Sequence, residues 1–119
     1  MDREELKRRT KKFALDIIKL IEKFPATKTG NVIGKQLLRS GTSVGANYRA
    51  ACRARSQADF ISKISVVEEE ADESCFWLEL TIESGLSNTP EAKALLKEAS
   101  ELTAIFTASR STAKRSVNL

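Results

Sequence analysis

The stretch Ser40-Gly41-Thr42-Ser43-Val44-Gly45-Ala46-Asn47 decides how the rest of the chain is interpreted. By propensity alone, its two glycines and three hydroxyl side chains should break a helix, at about 1 kcal/mol for each glycine. A loop is therefore one interpretation. However, apolar periodicity continues on both sides of the stretch, and the small residues fall on one helical face. Because a small-residue strip lets another helix approach closely, we predict a helix with a tight crossing here.

Three further segments show helical periodicity. In residues 6–24 apolar side chains recur every three or four positions until Pro25 ends the pattern. Residues 56–59 form a variant of the capping box before a third apolar stripe. Residues 89–91, Thr-Pro-Glu, supply an N-cap, a first-turn proline and a first-turn acid for the last helix. The predicted helices are about 3–24, 31–55, 57–84 and 90–112, followed by a frayed or disordered tail, 113–119.

Four amphipathic helices with short connections favour an antiparallel, up-down-up-down packing. The 119 residues suit one domain of ordinary size, and 41% apolar with 30% charged residues is near the globular norm. We therefore predict an all-α fold in which residues 1–119 form a single four-helix-bundle domain.

The composition offers little for catalysis or metal binding. No His occurs, which removes the commonest general base and every nucleophile–His pair. Cys52 and Cys75 fall on separate predicted helices and are interpreted as small buried side chains. Glu69, Asp72 and Glu73 have a spacing that could line a metal site, but without His a solvated or ion-paired face is the simpler interpretation. We predict no enzyme activity, no metal and no cofactor.

The expected location follows from the apolar runs. The longest are about four residues, against the roughly 20 that a membrane-spanning helix needs. The first five residues are mostly charged and lack the apolar core of a signal peptide. We expect a cytoplasmic protein without a membrane contact.

Charge is distributed unevenly along the chain. Residues 1–55 hold fourteen Lys and Arg against five Asp and Glu, whereas residues 56–119 hold six against eleven. The stripe Lys35, Arg39, Arg49 and Arg53 lies on nearly one face of helix two. One interpretation is a salt-bridge ladder between helices two and three, with Arg39 near Glu73 and Lys35 near Glu79, and the other is an exposed basic face for a polyanion. The first-helix cluster has few acids nearby in sequence, so it is the better polyanion candidate. The candidate nucleic-acid-binding residues are Arg8, Arg9, Lys11, Lys12, Lys19, Arg49, Arg53 and Arg55.

Large polar-edged side chains suggest self-association. Asn47, Tyr48 and Trp77 lie on or beside apolar stripes, and one small bundle has little interior for them. Tyr and Trp are favoured where an apolar surface meets a polar partner. We expect several of these side chains at a subunit interface. The candidate interface or close-packing residues are Gly41, Gly45, Asn47, Tyr48 and Trp77.

The sequence also resembles a known family. Residues 33–48, Ile-Gly-Lys-Gln-Leu-Leu-Arg-Ser-Gly-Thr-Ser-Val-Gly-Ala-Asn-Tyr, together with residues 70–73 and the pair Trp77-Leu78, look like the bacterial four-helix-bundle proteins called 23S rRNA intervening-sequence proteins. The resemblance covers roughly residues 5–110. It implies a ring-shaped homopentamer, a basic surface suited to RNA or DNA, and no catalysis. A relative, the accessory variability determinant of diversity-generating retroelements, binds nucleic acid and a reverse transcriptase, which makes a reverse transcriptase a possible partner.

Two hypotheses about function follow. The first is a non-enzymatic, oligomeric protein associated with RNA or DNA through backbone contacts. The second is a protein-interaction adaptor or scaffold with no nucleic-acid role, in which the polar positions of helix two serve packing alone.

Overall fold

The chain folds into four α-helices. The computed structural model describes residues 1–117 and contains no β-strand in that range. The prediction of an all-α protein is therefore confirmed. The helices are α1 (Arg3–Glu22), α2 (Lys28–Ala51), α3 (Gln57–Glu83) and α4 (Pro90–Val117).

Side-chain caps fix where each helix begins. Asp2, Thr27 and Ser56 each accept a hydrogen bond from the backbone N–H three residues ahead. Thr89 accepts from the N–H of Ala92 at 3.2 Å in the same way. Each cap satisfies a donor that the first helical turn leaves without an intrahelical partner. The caps predicted at Ser56 and Thr89 are found in the structure.

The bounds of α2 differ from the prediction at both ends. The helix begins at Lys28 rather than near residue 31, because Thr27 caps it. It ends at Ala51 rather than near residue 55, with Cys52 as the C-cap. The polar composition of residues 26–31 suggested a loop. Because an N-cap residue such as Thr27 is also polar, composition alone could not distinguish a loop from the start of a helix.

The predicted tail is wrong for residues 113–117, because α4 continues to Val117. Ala113 is buried, and its carbonyl accepts a hydrogen bond from Nε2 of Gln57 at 3.3 Å. This hydrogen bond connects the last turns of α4 to the first turn of α3. Residues 118–119 lie outside the described part of the chain.

The helices pack as an antiparallel four-helix bundle. α1 packs against α2 and α4, and α3 packs against the same two helices. In the described residues, the diagonal pairs α1–α3 and α2–α4 have no close backbone approach. Each short connection reverses the chain, so α1 and α3 run in the same direction. The core side chains that are fully buried include Phe13, Ile17, Leu37, Ile64, Leu78, Leu102 and Phe106.

The glycines of residues 40–47 face α1 at close range, and the whole stretch is helical. A Cβ placed on Gly41 would lie 3.0 Å from Cγ1 of Ile17, and one on Gly45 would lie 3.3 Å from Oγ1 of Thr10. Both helices can approach this closely only because these positions carry no side chain. The helix is therefore stabilised by packing that its local propensity does not reveal.

The hydroxyl groups of the same stretch are also satisfied. Thr42 and Ser43 each donate to the carbonyl oxygen four residues earlier, at 2.7 and 2.6 Å. The buried hydroxyl of Ser74 on α3 donates to that of Ser40 over 3.0 Å. Hydroxyl side chains with partners such as these do not compete with the helical backbone for its hydrogen bonds.

Candidate interaction surfaces

The basic cluster on α1 is partly neutralised by α4. Arg9 forms a bidentate pair with Glu98, with two N···O distances of 2.7 Å, and approaches Glu101 at 3.5 Å. The hydrogen bonds to Glu98 raise the pKa of Arg9 above its ordinary value. The expectation of few acids near this cluster overlooked Glu98 and Glu101, which are about 90 positions away in sequence and come near only through folding.

Other α1 cations are paired within the helix. Lys12 contacts Asp16 at 2.7 Å, and this hydrogen bond raises the pKa of Lys12. Lys7 contacts Glu4 at 3.2 Å. The exposed α1 candidates that have no carboxylate within 4.0 Å among residues 1–117 are Arg8, Lys11 and Lys19.

Of the salt bridges expected between α2 and α3, only those of Arg39 are present among residues 1–117. Arg39 contacts Glu70 at 3.1 Å and also pairs with Glu73. Lys35, the other basic residue expected in the ladder, is exposed and has no such partner in the described range. Farther along the same face, Arg49 and Arg53 are exposed and unpaired within residues 1–117. In this stripe Arg39 is thus neutralised, whereas Lys35, Arg49 and Arg53 have no ion pair within residues 1–117.

One end of the bundle gathers positive charge from four segments. Nη1 of Arg3 donates to the carbonyl of Cys52 at 3.3 Å, which joins the start of α1 to the end of α2. The guanidinium of Arg3 also lies 5.8 Å from the ring centroid of Phe60 on α3. A cleft of about 650 Å³ at this end is lined by residues of all four helices, including Arg55 and Ser116. We call this region, residues 1–9, 49–66 and 107–117, the cation-rich end.

The charge count of this region is strongly one-sided. It contains eleven Lys and Arg against four Asp and Glu, whereas the rest of the chain contains nine against twelve. Three of its four acids are engaged: Asp2 caps α1, Glu4 contacts Lys7, and Asp59 contacts Lys63 at 2.6 Å. The Lys63 hydrogen bond, with a second from the Arg55 N–H, lowers the pKa of Asp59.

The unpaired cations of this end include residues that the sequence argument missed. Arg49, Arg53 and Arg55 are among the nucleic-acid-binding candidates, but Lys114 and Arg115 fall in the predicted tail. Both of these residues lie on α4 and are exposed, and neither has a carboxylate partner in residues 1–117. The apolar spacing of α4, continued for about two more turns from Phe106 to Ala113, was the signal that could have placed them.

Several carboxylates of the acidic run on α3 are engaged in ion pairs and hydrogen bonds. Arg39 forms ion pairs with Glu70 and Glu73. Glu68 accepts hydrogen bonds from Thr107 and Arg110. These contacts, led by the Thr107 hydroxyl, lower the pKa of Glu68. Among residues 1–117, no group of His, Cys, Asp and Glu side chains is arranged to hold a metal ion.

The expected interface residues do not form one surface. Tyr48 is 4% exposed and its ring centroid lies 5.3 Å from that of Phe106, so it belongs to the core, which has room for it. Burial raises the pKa of the Tyr48 hydroxyl. Nδ2 of Asn47 donates to the carbonyl of Ser43 within α2. Trp77 is half-buried on α3, and its indole N–H has no acceptor in the described part of the chain.

Within residues 1–117, no helix combines the length and apolar character needed to cross a bilayer.

Comparison with known proteins places the chain in a family. No functionally curated protein matches the sequence. A solved structure from Bacteroides thetaiotaomicron, described as a protein with unknown function from the S23 ribosomal protein family, is 34% identical. It superposes with a TM-score of 0.80 over 87% of this chain and 96% of its own. The family model described as 23S rRNA-intervening sequence protein matches residues 4–108, and the chain therefore belongs to that family.

Proposed function

We propose that this protein is a non-enzymatic RNA- or DNA-associated protein that binds the sugar-phosphate backbone at its cation-rich end. The observation that carries the proposal is that exposed cations from several segments lie at that end without a carboxylate partner among residues 1–117. Besides Arg8 of α1, they come from α2, the α2–α3 connection and α4: Arg49, Arg53, Arg55, Lys114 and Arg115. Cations that the protein does not neutralise itself can displace the counterions of a polyanion, which favours binding.

The side chains of this end suit phosphate more than bases. Arginine supplies planar, bidentate donors that match phosphate oxygens. Phe60 at this end is partly buried and faces Arg3, and residues 1–9, 49–66 and 107–116 contain no exposed aromatic ring on which a base could stack. Binding is therefore expected to be nearly independent of sequence. Because the family description names 23S rRNA, RNA is the first polyanion to test.

The test compares two variants of equal net charge. One carries Arg49→Gln, Arg53→Gln, Arg55→Gln and Lys114→Gln at the cation-rich end. The matched control carries the same number of neutralisations on exposed lysines elsewhere, namely Lys28→Gln, Lys35→Gln, Lys93→Gln and Lys97→Gln. Binding to a generic RNA hairpin and to duplex DNA is measured by fluorescence anisotropy over a salt series.

We expect the first variant to bind more weakly and to show a shallower salt dependence. On duplex DNA the log–log slope should fall by up to about 0.9 for each phosphate that the variant no longer neutralises. The control should keep the parent's slope. Equal slopes for the two variants would reject this end as the binding surface. No binding by the parent at about 50 mM salt, where such interactions are strong, would instead favour the protein-interaction adaptor.

A further inference from the structure

The cleft at the cation-rich end has a wall rich in hydrogen-bond donors. Its volume of about 650 Å³ is typical of a site for a small molecule and far too small for a double helix. The lining residues Ala51 and Ala113 are buried, so the core closes the cleft on its inner side. Among residues 1–117, no Asp or Glu lines it. The charged, hydroxyl and amide side chains of its wall are Arg3, Arg55, Ser56, Gln57, Ser109, Thr112 and Ser116.

Both arginines of the wall are available to an anion. Arg3 is held in place by the hydrogen bond from its Nη1 to the carbonyl of Cys52 and by the ring of Phe60. The other N–H groups of its guanidinium can still donate. Arg55 comes from the α2–α3 connection, and neither arginine has a carboxylate within 4.0 Å among residues 1–117. An anion in the cleft would therefore meet two planar donor groups whose charge the described residues do not neutralise.

Two hydroxyl groups of the wall still have a proton to donate. Oγ of Ser56 accepts a hydrogen bond from the N–H of Asp59 at 3.0 Å, and Oγ1 of Thr112 accepts one from Arg115 at 3.3 Å. Neither hydroxyl donates to another group within residues 1–117. Because a hydroxyl that accepts can also donate its own proton, both add to the donors that the arginines supply. This set of donors suits a ligand with several acceptor oxygens.

We propose that the cleft holds the terminal phosphate monoester of an unpaired nucleic-acid strand, an inference that rests on the proposed function. A phosphate monoester carries about −1.5 to −2 charge at pH 7 and three strong acceptor oxygens. An internal phosphodiester carries a single negative charge. Two guanidinium groups without a competing carboxylate therefore favour the end of a strand over its interior. The small volume excludes a duplex, and the lack of an exposed ring leaves recognition to the phosphate rather than the base.

RNA strands that differ only at their ends test the cleft. One short single-stranded RNA, labelled on an internal base, is prepared with a 5′-phosphate, with a 3′-phosphate, and with hydroxyl groups at both ends. A hydroxyl-ended strand longer by two nucleotides matches the total charge of the phosphorylated strands. Binding is measured by fluorescence anisotropy in low salt. Competition with a free nucleoside monophosphate distinguishes a strand end from a single nucleotide.

Two cleft variants have matched controls. Arg55→Gln removes a charge from the wall, and Arg53→Gln removes an exposed charge two residues earlier that does not line the cleft. Ala108→Trp fills the cleft without a change of charge, at an exposed position of its wall. Its control, Ala104→Trp, is exposed one turn earlier on α4 and lies outside the cleft. Circular dichroism checks that each chain remains helical.

We expect the parent to bind a phosphorylated strand at least about fivefold more tightly than the charge-matched hydroxyl strand. Arg55→Gln and Ala108→Trp should each reduce this ratio to about one. Arg53→Gln should weaken all strands alike and keep the ratio, and Ala104→Trp should also keep it.

Equal binding of phosphorylated and hydroxyl strands by the parent, or a preference that survives either cleft variant, would overturn the inference and leave the proposed function standing. Competition by the nucleoside monophosphate as strong as that by the phosphorylated strand would replace the strand end with a free nucleotide as the ligand. No binding of any strand would overturn the inference together with the proposed function.

Discussion

Gly45 of α2 lies so close to Thr10 of α1 that a Cβ on the glycine would be 3.3 Å from Oγ1 of Thr10 and 3.4 Å from its carbonyl oxygen. Thr10 is itself fully buried, and its hydroxyl donates to the carbonyl of Leu6 at 2.8 Å. Because the nearest atoms include backbone, they cannot rotate away as the end of a side chain could. The crossing of α1 and α2 is therefore set by this contact.

Enlarging this position should destabilise the bundle. We expect Gly45→Leu to reduce the free energy of unfolding by about 1–3 kcal/mol or more, since overpacking forces side chains and backbone to shift. The matched control is Ala46→Leu, one residue further along α2 and exposed, for which we expect a change within about 0.5 kcal/mol. Urea unfolding followed by circular dichroism measures both. Equal stability of the two variants would show that the crossing tolerates a side chain at Gly45.

The pair of Arg9 with Glu98 should stabilise the packing of α1 on α4. It is bidentate and only about a quarter of each side chain is exposed, so solvent screens it less than an ordinary surface pair. We expect Arg9→Gln to lower the free energy of unfolding by about 1–3 kcal/mol, the range for hydrogen bonds to charged groups. The exposed neighbour Lys11 has no partner in the described residues, so Lys11→Gln should leave the melting temperature unchanged. A similar decrease in both variants would point to net charge as the cause.

The stability that Glu68 contributes should depend on pH. Its pKa in the folded protein is lowered, chiefly by the Thr107 hydroxyl and then by Arg110. A group with a lowered folded pKa stabilises the fold above its unfolded pKa, about 4.3 for glutamate, and this stabilisation is lost as the pH falls through the folded value. We expect Glu68→Gln to cost about 1 kcal/mol at pH 7 and the gap to the parent to close below about pH 4. A gap that stays constant down to pH 3 would contradict the ionic contribution.

The sequence predicted the elements of the fold better than it predicted the charge pattern. Apolar periodicity and the caps at Ser56 and Thr89 are local signals, so four helices could be recognised without coordinates. Ion pairing is not local. Arg9 looks free in the sequence because its partner Glu98 is 89 positions away. Arg39 could be paired with Glu73 from the sequence, since a hairpin of neighbouring helices has a defined register.

The same difference bears on the candidate sites. Tyr48 is expected at an interface because the capacity of the core cannot be judged without knowing how the helices pack, and Phe106 supplies its contact. Lys114 falls in the predicted tail because the end of a helix near the C-terminus has weak sequence signals. Its place at the same end of the bundle as Arg53 and Arg55 depends on all four helices being in position.

The contribution of the α1 candidates to nucleic-acid binding should be smaller than that of the three arginines at and after the end of α2. Arg9 and Lys12 already have carboxylate partners, whereas Arg8, Lys11 and Lys19 have none among residues 1–117. We expect a variant with these three changed to Gln to reduce the log–log salt slope less than the triple variant Arg49→Gln, Arg53→Gln and Arg55→Gln. Both variants remove three charges, so a difference between them reports position alone.

The comparison must be made on species of the same size, because any oligomer would multiply weak interactions through avidity. The binding of each variant is therefore measured on fractions of matched mass. A larger decrease of slope in the α1 variant than in the Arg49, Arg53 and Arg55 variant would return the binding surface to the first helix. The pairing of Arg9 and Lys12 would then have to open when nucleic acid binds.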